Sequence, residues 1–225
     1  IEGLQAEMAG QRGTPHGLLR VTTSLAFSTH QLAPLIAEFL ERYPQVQLEL
    51  LPTDRVVDII DEGIDVAIRI GRLADSSFMA RKIGEDLRLI CAAPSYFAHR
   101  RAPERPEDLA RHNCIIARER PSDQRWPFRV NGELREIEVG GRIAVSEGEA
   151  QMRLALQGLG IVRLTRLTVG GAVRRGELVA LLQDFSAEQP VPIHAVYPHR
   201  RHLAAKVTAF VDFIAEKFTP PPWEG

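Results

Sequence analysis

Lysine is nearly missing from this sequence: of 28 basic residues only Lys82, Lys206 and Lys217 are lysine, and the rest are arginine. The plain reading of that bias is GC-rich coding. Net charge is missing too. Asp and Glu number 29, for a formal charge of -1, so bulk electrostatics give the chain no grip on nucleic acid. Cysteine is limited to Cys91 and Cys114, too few for a disulfide framework or a thiolate-only zinc site. Both lie in or beside apolar stretches and read as small buried hydrophobes. No apolar run approaches about 18 residues, so no membrane-spanning helix is expected. The polar start, IEGLQAEMAGQRGTPHG, lacks signal-peptide character and reads as the trimmed end of a linker.

What is present is 225 residues with 44% hydrophobic and 25% charged side chains, enough for one large domain or two small lobes. Residues 18–21 give a short strand signal ending in Thr22, Thr23 and Ser24. A helix pattern follows through Leu32, Leu35, Ile36, Phe39 and Leu40, with Ser28 and Gln31 spaced as a capping box. Val46, Leu48 and Leu50 alternate with polar residues as in a strand with one wetter face. Thr53 or Asp54 is placed to cap a short helix through Val56, Val57, Ile59 and Ile60, stopped by Gly63. Residues 66–70 then read as a buried strand turning at Gly71. Strand, helix, strand, helix, strand at this spacing predicts an open α/β sheet, whose right-handed crossovers put helix starts at its carboxyl edge.

Residues 74–82 read as a loop and 87–92 as another strand. Short helical stretches are expected near Tyr96, capped by Ser95, and from Pro106. Residues 115–116 read as a short strand. Asn131-Gly132 marks a hairpin. Ser146 and Glu149 form a second capping box before a helix that Gly158 ends. A helix over 168–175, a strand over 178–182, a stiff connector at Pro190 and Pro192, a strand over 193–197 and a last helix through Leu203, Val207, Phe210, Val211 and Ile214 complete the pattern. The chain is expected to leave the first lobe near 87–92 and return near 192–197, with a cleft between the lobes.

Hydrolytic, P-loop and complete dinucleotide signatures are missing, so no enzyme is expected. Gly158-Leu159-Gly160 reads as a helix stop and tight turn. His199 and His202 could be a metal pair, but Arg200 and Arg201 lie between them and solvent exposure is the better reading. No metal or cofactor is expected. The carboxylate pairs Asp58 with Asp61 and Glu62, Glu107 with Asp108, and Glu147 with Glu149 read as exposed or helix-start acids. The hydroxyls are more telling. Ser24, Ser28, Thr53 and Ser146 stand at strand-to-helix junctions, where unpaired helix amides favour an anion and ligands gather at strand ends. Simple capping is the competing account. Phe27, Phe78 and Phe128 could line an apolar side or be plain core, and Arg69, Arg72 and Arg163 are candidate counter-charges. Arg163 interrupts an apolar run, so it must be paired, exposed or facing a cleft.

The chain resembles the effector-binding domain of LysR-type transcriptional regulators. The likeness rests on Gly17-Leu18-Leu19-Arg20-Val21 with Leu32-Ala33-Pro34-Leu35, on residues 39–50, on Glu62-Gly63-Ile64-Asp65-Val66-Ala67-Ile68-Arg69, and on Val145-Ser146-Glu147-Gly148-Glu149 leading to Gly158-Leu159-Gly160-Ile161. It covers roughly residues 16 to 218. The resemblance implies an α/β, two-lobed fold like type 2 periplasmic binding proteins, with two crossover strands. The implied divisions are a residual linker over 1–15, lobe I over 16–88, lobe II over 89–192, a return strand and last helix over 193–218, and a tail over 219–225. It implies effector contacts at Ser24, Phe27, Ser28, Thr53, Gly71, Arg72, Ser146, Val162 and Arg163. The end of that last strand, Val162-Arg163-Leu164-Thr165, departs from the more apolar family pattern and could favour an acidic ligand.

The expected function follows from that likeness: a cytoplasmic sensor of a small anionic effector, a carboxylate for instance, in a homodimer or homotetramer. Effector domains would pair side by side, with residues 31–43 of one chain near 147–157 of the other. The sensor would control promoter DNA through an N-terminal domain outside this sequence, with no membrane partner. A solute-binding protein of a transport system is the alternative.

Overall fold

The structure, a computed structural model, describes residues 13–55, 57–71, 73, 78–117, 121–199 and 204–223. The expectations for Val56, Arg72, His202 and Leu203 lie outside the described residues. Strand β1 (Gly17–Thr23) lies between β2 (Val46–Pro52) and β3 (Val66–Ile70) and is parallel to both. β4 (Phe78–Asp86) and β10 (Val191–Pro198) complete a five-stranded sheet of order β2-β1-β3-β10-β4, in which β10 runs antiparallel to β3 and β4. The strands read as their burial dictates. Leu19 and Val21 are fully buried, while Leu18 is exposed; Val66, Ala67 and Ile68 are all buried, as in a strand covered on both faces.

Between β1 and β2 the chain coils through one α-turn (Leu25–Phe27), a π-turn (Ser28–Leu32) and a 3-10 turn (Ala33–Leu35) into helix α1 (Ile36–Arg42). Pro34 explains the irregularity, since it removes an amide and crowds the preceding turn. Phe39 of α1 packs against Phe210 and Phe213 with ring centroids 5.3 Å apart. Those rings belong to the terminal helix (Ala205–Lys217). Its Val207, Phe210, Val211 and Ile214 sit at helical spacing and are buried against the sheet.

Several local expectations give way to the structure. No helix forms between β2 and β3 among the described residues. Asp58 Oδ1 accepts the amides of Ile60 and Asp61 at 2.8 and 3.1 Å, so a side chain holds the backbone in turns that compete with helix. Residues 78–82 are strand rather than loop. Ser28 is not the cap; Ser24 is, its Oγ accepting the Phe27 amide at 3.3 Å. Residues 115–116 make only isolated bridges, Ile115 lying between Cys114–Ile161 and Ile116–Ala144.

From β4 the chain passes through Leu87 into β5 (Arg88–Ala92), the centre of a second sheet. A 3-10 turn over Pro94–Phe97 follows, entered through Ala93 and not capped by Ser95. The hairpin of β6 (Arg125–Val130) and β7 (Glu133–Glu138) turns at Asn131-Gly132 as expected. Helix α2 (Gly148–Leu156) precedes β8 (Val162–Thr165), which runs straight into α3 (Arg166–Arg174), two residues earlier than the sequence pattern suggests. β8 and the two-residue β9 (Val179–Ala180) flank β5 on either side, both antiparallel. Gly158 has a φ of +72° and ends α2; a Cβ on Gly160 would lie 2.4 Å from the Asn113 carbonyl. The two-glycine motif is therefore a helix stop and a close approach. Counting the terminal helix as α4, the second body is held by cores around Trp126 and Phe128 and around Val162 and Val169.

Candidate functional site

A cavity of about 500 Å³ lies where the carboxyl end of β1 faces the starts of α2 and α3. Each side contributes through a short turn. From the first sheet come Ser24, just past β1, and Asp54, just past β2. Asp54 Oδ1 accepts the Leu25 amide at 3.2 Å, so the two residues fix the same helical turn. From the second body come Ser146 and Gly148 at the start of α2, and Thr165 and Thr168 around the start of α3. The two threonine hydroxyls are 3.0 Å apart. Glu147 occupies the cap position of α2 but its side chain makes no capping bond, which leaves the first-turn amides to water or an anion. The expected Ser146 capping box does not form. Glu149 turns away to His30 Nε2 at 2.8 Å and Arg153 Nε at 2.9 Å.

Charge in the cavity is mixed. Arg163 lines it but is not free. Its Nη2 donates to Glu188 Oε2 at 2.8 Å and its Nε to Oε1, a two-pronged pair with side chains only 13% and 7% exposed. The sequence asked whether Arg163 is paired or faces a cleft, and it does both. Arg125 and Glu136 on the hairpin approach to 3.7 Å across the opposite wall, beside Trp126.

The remaining expected positions are distributed differently. Ser24, Ser146 and Arg163 meet in the cavity. Phe27 is fully buried and packs edge-on against Phe218 at 5.4 Å. Val162 is fully buried in the second core. Ser28 is buried in the π-turn. Thr53 opens no helix; its Oγ accepts the Arg55 amide at 3.2 Å. Neither Thr53 nor Gly71, which turns the chain at a φ of +123°, lines the cavity. Arg72 lies outside the described residues. Arg69 donates to the Val57 carbonyl at 3.3 Å, and burial pulls its pKa down. Phe128 is fully buried core.

Sequence reasoning missed Asp54 as a wall residue, Gln151, Thr168 and Arg88. Gln151 carried a signal: it is a polar residue on the apolar face of α2, 6% exposed, donating to the Val145 carbonyl at 2.6 Å. The others needed the three-dimensional meeting of distant strand ends. Among the described residues no cluster of three metal-binding side chains exists, and no helix is long and apolar enough to cross a membrane.

Residues 12–219 match the family model of the LysR substrate binding domain. The chain belongs to the LysR-type transcriptional regulators, as their effector-binding domain. It is 32% identical over 192 residues to an uncharacterized HTH-type transcriptional regulator of Haemophilus influenzae, covering 85% of this chain and 66% of that protein. It is 30% identical over 213 residues to the HTH-type regulator CrgA of Neisseria meningitidis, covering 95% and 71%. The chain thus spans about two thirds of these curated relatives. The solved regulatory domain of CrgA superposes with a TM-score of 0.85 at 31% identity, covering 90% of this chain and 99% of that one. Full-length AphB, a virulence activator of Vibrio cholerae, gives 0.78 at 27%, covering 96% and 73%. This LysR-type domain is therefore a regulatory module and not an enzyme, and the family favours regulation over the transport alternative.

Proposed function

We propose that this LysR-type domain senses a small anionic effector held between two lobes, residues 16–88 with 193–218 and residues 89–192. Leu87 and the residues leading into β10 serve as the crossover connections. The observation that carries this reading is the cavity itself: hydroxyls from both bodies, Ser24 on one side and Ser146, Thr165 and Thr168 on the other, meet at the uncapped start of α2. That donor set suits a carboxylate whose charge is met by helix amides. Because Arg163 is neutralised by Glu188, the charge selectivity rests on the helix start. In this reading Phe27, Ser28, Thr53, Gly71 and Val162 support the walls, and Arg72 remains a candidate contact.

An effector there would bias the relative placement of the lobes by its differential affinity for the two arrangements. Side-by-side pairing of these domains in a homodimer or homotetramer, through 31–43 and 147–157, would carry that change to a DNA-binding domain ahead of this segment in the cytoplasmic full-length regulator. Calorimetric titration of this chain with malate, succinate and citrate tests the site. One of these should bind saturably, and Ser24→Ala and Ser146→Ala should each weaken it by about tenfold, the loss of one hydrogen bond to a charged group. Absence of saturable binding by all three, or binding unchanged in both variants, would refute the reading.

A further inference from the structure

A second cavity, about 390 Å³, adjoins the cleft. The two share Arg88 and Pro127, and the Arg163–Glu188 pair places one partner in each lining. Its apolar wall is Leu87 before β5, Leu89 and Ile90 in β5, Val173 of α3, and Leu181 and Leu182 past β9, with Gln183 and Ser186 at the polar side. Such a space, largely preformed and mostly hydrocarbon with a few polar groups, is the ordinary form of a small-molecule site.

One polar atom in it has no hydrogen-bond partner. Arg166 lines the cavity, and its Nε is buried with no hydrogen-bond acceptor. The nearby acids are already engaged. Asp86 accepts the Leu87 amide at 2.7 Å and the Leu167 amide at 2.8 Å and feels the Arg166 charge without bonding its Nε, and Glu188 holds Arg163 through both oxygens. Arg166 is also the first residue of α3, where the helix dipole opposes a cation and welcomes an anion. A buried guanidinium N–H without an acceptor is unfavourable. Leu182, in the same wall, holds a φ of +54°, a strained conformation for a branched residue.

We infer that this cavity is a second ligand site, for a small monocarboxylate with an apolar body. The carboxylate meets Arg166, and the hydrocarbon lies on Leu89, Val173 and Leu181. A single negative charge is favoured because Glu188 also faces the space. The inference does not rest on the cleft being an effector site.

Titration of the isotope-labelled chain with sodium octanoate, followed by amide chemical shifts, tests it. Saturable shifts are expected at residues 87–90 and 166–183, with Ser24 and Ser146 unmoved. The neutral analogue 1-octanol should bind about tenfold more weakly or worse, having no charge for Arg166. Arg166→Met, which keeps the stem and removes the charge, should weaken octanoate by about tenfold or more. Val173→Trp should block binding by filling the space. The inference is overturned by the absence of saturable shifts at millimolar octanoate, by shifts centred on the cleft, or by equal affinity for octanoate and octanol. Should Arg166→Met fail to fold, the wild-type shift map and the octanol comparison decide the matter alone.

Discussion

Replacing Glu188 with alanine removes a carboxylate and leaves its guanidinium partner in place. The magnitude follows from burial. At 13% and 7% exposure the Arg163–Glu188 pair is largely out of water, and breaking a buried pair on one side costs about 3–5 kcal/mol because the remaining charge is uncompensated. Arg163 borders a cavity, so water can reach it in the variant, which points to the lower end, about 3 kcal/mol. For a domain of this size each kcal/mol moves Tm by roughly 2–4 °C, so Glu188→Ala should melt about 6–12 °C lower. Arg163→Met combined with Glu188→Leu removes both charges and should return to within about 1 kcal/mol of the parent, or exceed it. Calorimetry and urea unfolding of the parent, Glu188→Ala and the double variant measure this. A single-variant loss under about 1 kcal/mol, or a double variant as unstable as Glu188→Ala, would refute the assignment of the pair as a buried unit. High salt should leave the difference mostly intact, since screening acts on exposed charges.

Phe39→Ala should cost about 3–5 kcal/mol by urea unfolding, because the ring is fully buried between Phe210, Phe213 and Tyr43. By contrast Arg81→Ala should cost less than about 1 kcal/mol, since the Arg81–Asp212 pair is roughly half exposed. Asp86 predicts a pH dependence. Burial pushes its carboxyl from 3.8 up to about 6, although the Leu167 and Leu87 amides pull the other way. A raised acid binds its proton more tightly when folded, so the ionised form costs stability. That cost is absent below about pH 4, grows as pH rises to about 6 and is complete above it, on the order of 3 kcal/mol. Asp86→Asn should flatten this part of the stability profile, and urea midpoints from about pH 4 to 7 that keep the parent slope would rule it out.

What the sequence makes legible is local or periodic. The alternation of β1 and β2, the helical spacing of the terminal helix, and the Asn131-Gly132 hairpin all depend on neighbours within a few residues. The turn segment between β2 and β3 was less legible because Asp58 captures two amides, a competition that periodicity does not register. The insertion of β10 between β3 and β4 joins strands more than a hundred residues apart. Ser24 and Ser146 could be picked out as residues at strand-to-helix junctions, and both reach the cleft. Thr53 has the same sequence character but caps a turn instead. Arg163 could be flagged as anomalous in an apolar strand. Its partner Glu188 lies 25 residues on, beyond β9, and only the fold brings them together.

The cleft is also bridged at its helix starts. His30 Nε2 meets Glu149 Oε2 at 2.8 Å, and Gln31 Nε2 donates to the Leu167 carbonyl at 3.0 Å. Both contacts run from the turn after β1 to the first turns of α2 and α3, the same helix starts that border the cavity. Burial pushes the Glu149 carboxyl up, and the hydrogen bonds from His30 and Arg153 outweigh it, holding its pKa below the ordinary range. The carboxylate therefore stays charged into mildly acid solution. Widening the cleft must break both contacts or carry the helix starts along. Two partly buried hydrogen bonds, one of them to a charged group, amount to about 2–4 kcal/mol. A ligand that opens the cleft must therefore prefer the open arrangement by roughly 30- to 1,000-fold, whereas one that binds across the closed gap adds to contacts already made. For any ligand held in this gap, closure is the easier direction.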